Sequence, residues 1–83
     1  MNIIDIRSKS EYDMGHIPGA IFIDKYELLF NSSKYLNKND TYHIYCNSGI
    51  TSKGVVSKLN NMGYKCVNID GGYKNYLLSK MKL

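Results

Sequence analysis

Several scarcities bound what this chain does. No apolar run approaches the ~20 residues that a bilayer-spanning helix needs. Asp5 and Arg7 interrupt the opening apolar stretch before the core of a signal peptide forms. The default expectation is therefore a cytoplasmic protein with no membrane partner. Cysteine is scarce: Cys46 and Cys66 fall in separate predicted elements and supply no disulfide framework. His16 and His43 are isolated from both cysteines in sequence, so no metal site is expected. Arginine is scarcer still, with Arg7 alone among eleven basic residues. The formal charge is +4, yet the lysines are dispersed and no basic run marks a phosphate-tracking segment. A mildly basic surface that favours a small anionic substrate is the better reading than nucleic-acid binding. Length is also short: 83 residues make one domain, 1–83. Such a chain buries only about 60–65% of its extended surface.

What is present alternates between strand and helix signals. Asn2–Ile6 is a short apolar strand, followed by the capping-box pattern of Ser8 and Glu11, which Gly15 and Pro18 limit to a brief helical turn. Ala20–Ile23 is a second strand. Asp24 and Glu27 repeat the cap, with Ile23 and Leu28 at the hydrophobic-staple positions. The polar stretch 31–40 reads as a loop anchored by Tyr35 and Leu36. Thr41–Cys46 is a third strand, and a helix from about Ser52 to Met62 carries Val55, Val56, Leu59 and Met62 on one stripe, with Gly63 as its C-terminal glycine. Cys66–Asp70 is a fourth strand, Gly71-Gly72 a turn, and Tyr73, Tyr76, Leu77 and Met81 one face of a closing helix. This order predicts an α/β fold: a small parallel sheet of about four strands with helices on both faces. The chain opens on a strand with no flanking element before it, so an open sheet edge and self-association through it are expected.

The stretch Cys46-Asn-Ser-Gly-Ile-Thr-Ser52 concentrates the chemistry. In open α/β sheets ligands bind beyond the carboxyl ends of strands, and Cys46 stands at such an end. The small residues after it let backbone N–H groups converge as an anion nest. The helix start behind them adds unsatisfied N–H groups and partial positive charge. Both favour a thiolate and lower the Cys46 pKa. Gly49 fits a position that needs positive φ or a close backbone approach. Ser48, Thr51 and Ser52 add hydroxyl donors, and Thr51 or Ser52 is the expected helix cap. The bland alternative is a buried strand-end cysteine before a capped helix, and the residues alone leave both readings open.

Three segments, in order, resemble the rhodanese (sulfurtransferase) family. Asp5, Arg7, Glu11, Tyr12 and the run Gly15-His-Ile-Pro-Gly-Ala20 resemble its opening signature. Cys46, Gly49, Thr51 and Ser52 resemble its cysteine loop. Asn68-Ile-Asp-Gly-Gly72 resembles its closing glycine segment, with Tyr76 where many members carry tryptophan. The resemblance spans Ile3 to about Tyr76. It implies a minimal, N-terminally shortened rhodanese-like fold, or one completed by a partner. It also implies a thiosulfate or persulfide sulfurtransferase without a cofactor: Cys46 takes sulfane sulfur as a persulfide and passes it to a thiol, cyanide or a protein acceptor. Asn47, Ser48, Gly49, Ile50, Thr51 and Ser52 would bind the donor and persulfide, chiefly through backbone N–H groups. Asp5, Arg7 and Glu11 are expected to hold loops, and His16 and His43 to be structural. Thr51 stands where many single-domain members carry arginine, which removes a bidentate anion clamp; Lys53 is the expected partial substitute.

Two other functions compete. A sulfur-relay or protein-binding module with little free-substrate turnover fits the small size and open edge. A phosphatase or arsenate reductase of related fold needs an arginine at the sixth position after the cysteine, where Ser52 stands. Cys66 is read as a core residue rather than a resolving thiol.

Overall fold

Four stretches rich in isoleucine, tyrosine and valine pair into one sheet in a computed structural model that describes residues 1–81. Lys82 and Leu83 of the expected 1–83 domain lie outside the described residues. The strands are β1 (Asn2–Asp5), β2 (Ala20–Phe22), β3 (Thr41–Tyr45) and β4 (Lys65–Asn68). They lie in the order β2-β1-β3-β4, and every pairing is parallel. The opening strand β1 is internal, and β2 and β4 form the edges. The connecting helices are α1 (Lys9–Met14), α2 (Lys25–Phe30), α3 (Ser32–Tyr35), α4 (Ile50–Asn61) and α5 (Gly72–Lys80). No helix among the described residues is long and apolar enough to cross a membrane.

Alternation along the strands divides the side chains between two faces. On one face Ile4, Tyr42, Ile44 and Cys66 pack with Leu28 of α2, Leu36, and Val55, Val56 and Leu59 of α4. On the other, Tyr12 of α1 lies against Phe22 and Tyr73 of α5 against Tyr45. Both expected caps form: Ser8 and Glu11 make a complete capping box on α1, and Asp24 Oδ2 accepts from the N–H groups of Tyr26 and Glu27 on α2. The staple residues Ile23 and Leu28 are buried.

Four details depart from the sequence reading. The stretch 31–40 is not all loop: Ser32–Tyr35 closes one helical turn, held by the Ser32 hydroxyl donating to Leu28 O at 2.7 Å. Helix α4 begins two residues early, at Ile50. Met62 leaves the buried stripe and is 42% exposed. The closing helix packs only by its first half: Tyr73 and Tyr76 are half-buried, whereas Leu77 and Met81 are 42% and 74% exposed. The tyrosines reach the sheet by stacking through Tyr45, and no strand residue among those described reaches the later turns in this way.

Candidate active site

Cys46 follows the last residue of β3, on the same side of the strand as Tyr42 and Ile44. Its Sγ accepts the backbone N–H of Gly49 at 3.2 Å and of Ser52 at 3.3 Å. Gly49 adopts φ +90° and precedes α4 as its cap residue, with no side-chain cap bond. That corrects the expectation that Thr51 or Ser52 caps the helix. The sulfur itself takes the N–H of the third helical residue, the donor that a capping side chain ordinarily satisfies. Gly49 must also be small, because a Cβ there would lie 2.8 Å from Gly71 N.

The ionisation of Cys46 balances opposed effects. Burial pushes the thiol up; the Ser52 hydroxyl, the Ser52 N–H, and the Gly49 and Ser48 N–H groups together bring it below its ordinary value. The Ser52 hydroxyl has one proton, and it lies 2.5 Å from Asn68 Oδ1. That proton serves either acceptor, and the Ser52, Gly49 and Ser48 N–H groups supply the fixed part of the stabilisation. Asn68 completes the bracing, since its Nδ2 donates to Gly49 O at 3.1 Å and to Asp70 Oδ1 at 2.8 Å. Cys66 contrasts with this: it pairs with Tyr42, four residues back along the strand and roughly 13 Å from Cys46. Burial alone raises its thiol. Both cysteines are free.

The start of α5 fixes the loop from behind. The N–H of Tyr73 donates to Cys46 O and that of Lys74 to Asn47 O, each at 2.9 Å. The chain reaches this position through Gly71 and Gly72, with φ of +79° and +58°. A Cβ on Gly72 would overlap Cys46 O and sit 2.8 Å from Asn47 O.

A second cluster supports the loop from the opposite face. Asp5 is fully buried and accepts from Arg7 Nε at 3.1 and 3.0 Å, Arg7 Nη2 at 2.7 Å and the Tyr45 hydroxyl at 2.6 Å. Arg7 Nη2 also donates to Gly15 O, and the guanidinium lies 4.0 Å from the centroid of the Tyr73 ring. Burial and the Asp5 bond push the Tyr45 phenol well above its ordinary value, so it remains a donor. Glu11 joins its capping box to the loop by accepting from Asn47 Nδ2 at 2.8 Å. The bonds from Asn47 and Ser8 hold the Glu11 carboxyl below its ordinary value. His16 stacks on Tyr12 and places Nδ1 2.9 Å from Tyr12 O. His43 is half-buried in β3.

An open cavity of about 310 Å³ leads to the thiol. It is lined by Cys46, Asn47, Ser48 and Thr51 of the cysteine loop and by Ile6, Arg7, Ser8, Asp24 and Lys25 from the segments that follow β1 and β2. The remaining loop residues contribute differently. Ser52 is fully buried behind the sulfur, Gly49 contributes backbone only, and the Ile50 side chain is 79% exposed and does not line the cavity. Lys53 is exposed and off the cavity wall. Asn68 and Lys25 are the residues that sequence reasoning missed; Asp24 and Ser8 were read only as helix caps.

Comparison with known proteins identifies the family to which this fold belongs. The family profile described as rhodanese-like domain matches residues 1–79. The chain is 36% identical over 80 residues to thiosulfate sulfurtransferase PspE of Escherichia coli (strain K12), covering 95% of this chain and 77% of that one. It is 32% identical over 77 residues to a Bacillus subtilis (strain 168) protein provisionally named sulfur carrier protein YrkF, covering 92% of this chain but 41% of that one. The crystal structure of a rhodanese-like domain protein from Staphylococcus aureus superposes with a TM-score of 0.77 at 38% identity, covering 86% of this chain and 69% of that one.

Proposed function

Because the chain belongs to the rhodanese-like domain family, we propose that it is a sulfurtransferase that carries sulfane sulfur on Cys46. With thiosulfate as donor, the Cys46 thiolate attacks the outer sulfur. A new S–S bond forms to Cys46 as the donor's S–S bond breaks, and sulfite leaves with the electron pair. One anion and one dianion enter, and a persulfide anion and sulfite dianion leave. With a persulfide donor the leaving group is the donor's thiolate. The acceptor, cyanide or a thiolate, then attacks the terminal sulfur and regenerates the Cys46 thiolate.

The observation that carries this reading is Cys46 lining an open cavity, its sulfur accepting two backbone N–H groups. Donors that hold a thiolate also suit a persulfide anion and need no reorganisation as charge moves along the S–S bond. Asn47, Ser48 and Thr51 face the donor, and the backbone of Gly49, Ile50 and Ser52 completes the cradle. Asp5, Arg7, Glu11 and His16 hold the surrounding loops. Incubation with excess thiosulfate or glutathione persulfide should add the mass of one sulfur atom to the protein. Cyanide should remove it, and Cys46→Ser should never acquire it. Absence of added sulfur with both donors refutes the proposal.

A relay role with a protein acceptor is the second reading. It is favoured by the likeness to the provisionally named sulfur carrier and by the exposed Ile50 side chain within the cysteine loop. Persulfide loading without turnover to cyanide would select it.

A further inference from the structure

The geometry points to Lys25 as the residue that selects anionic donors at the Cys46 cavity, an inference that rests on the sulfurtransferase reading. Two cationic side chains line the cavity, Arg7 and Lys25. Arg7 is committed: its side chain is 3% exposed, Asp5 holds it with both oxygens, and Tyr73 covers its face. Its charge is neutralised inside the wall. Lys25 is half-buried and forms no ion pair among the described residues. Its Nζ lies 4.9 Å from the centroid of the Tyr26 ring.

The other charged lining residue, Asp24, makes this cation matter. Its carboxylate is anchored by the N–H groups of Tyr26 and Glu27 and faces the same cavity as the thiolate. A dianionic donor therefore approaches two negative groups along walls otherwise neutral at Asn47, Ser48 and Thr51. Lys25 is the uncommitted charge that offsets them, and it comes from the start of α2 rather than from the cysteine loop. An ammonium on a flexible stem is a mobile point charge rather than a fixed fork. It suits anionic donors of different size more than one planar oxyanion.

The test uses alkylation, so it does not depend on sulfur transfer. In a Cys66→Ala background, iodoacetate and iodoacetamide each form an S–C bond to Cys46 with loss of iodide, and they differ by one charge. The ratio of the iodoacetate to the iodoacetamide rate should fall about fivefold in Lys25→Met at low salt and further in Lys25→Glu. It should rise in Asp24→Asn, which keeps a capping side chain, and stay unchanged in Lys53→Met. High salt should compress these differences. For thiosulfate, Lys25→Met should raise KM with little change in kcat. An unchanged alkylation ratio in folded Lys25→Met and Lys25→Glu overturns the assignment. A shifted ratio in a protein that never loads sulfur leaves the anion site standing and rejects the sulfurtransferase reading instead.

Discussion

Gly72→Ala tests whether the start of α5 fixes the thiol loop. At φ +58° an alanine is strained by about 1 kcal/mol. The added methyl also overlaps Cys46 O and lies 2.8 and 2.9 Å from Asn47 O and C, all backbone atoms that no rotamer change can clear. Relief requires α5 to back away, which breaks the 2.9 Å bonds from Tyr73 N and Lys74 N, at about 1 kcal/mol each. The sum is about 3 kcal/mol, a Tm decrease of roughly 12–24 °C for a domain of this size. Gly19→Ala is the control: it has φ +86° and nothing within 4 Å of its would-be Cβ, so it carries the conformational cost alone. Urea unfolding and thermal melting of both variants measure the difference. Iodoacetamide rates against pH should show the Cys46 midpoint moving up in Gly72→Ala only. If Gly72→Ala loses no more stability than Gly19→Ala, α5 does not clamp the loop.

Three other outcomes follow from the same structure. The Cys46 pKa lies below its unfolded value, so its thiolate contributes stability that is fully present above the unfolded pKa and lost as pH falls through the folded one. The stability gap between wild type and Cys46→Ser should therefore widen as pH rises toward ordinary thiol values and then level off; a gap independent of pH in urea titrations refutes the cradle. Arg7→Leu leaves the Asp5 carboxylate buried without its cation and should cost about 3–5 kcal/mol; a loss under about 1 kcal/mol in urea would mean that Tyr45 alone satisfies it. Thr51→Arg puts a fork of donors on the cavity wall and should raise kcat/KM for thiosulfate relative to glutathione persulfide, and an unchanged ratio would remove residue 51 from the donor site.

The parts of this molecule legible in the sequence are those written locally. Ser8–Glu11 and Asp24 announce their helices because the cap and its partners lie within four residues. The cysteine loop is legible because a strand end, small residues and a helix start follow one another. The start of α4 was placed late because a cap is sought as a nearby oxygen, and here the acceptor is a sulfur six residues before Ser52. In the sequence Asn68 reads only as part of a strand and of the closing glycine segment, because its bonds to Ser52 and Gly49 span 16 and 19 residues and exist only once β3 and β4 pair. Lys25 carries no periodic signal at all. Its proposed role comes from the start of α2 lining the same cavity as Cys46, a neighbourhood that the sheet order creates. α3 escaped because its turn rests on one serine hydroxyl and a buried Leu36 rather than on apolar spacing.

The hold of α5 on the carbonyls of Cys46 and Asn47 has a consequence for timing. Each pinned carbonyl shares a rigid peptide plane with the next N–H, so fixing Asn47 O also fixes the Ser48 N–H that helps hold the thiolate. The nucleophile and its whole loop leave the ribosome well before residues 71–74, which lock those planes. A nascent chain should thus display a less acidic thiol, and full acidity should arrive only when the last helix folds back. Chemical reactivity becomes a readout of completed folding: a chain cut after Asp70 keeps every residue of the cradle but should alkylate more slowly at neutral pH than the full chain.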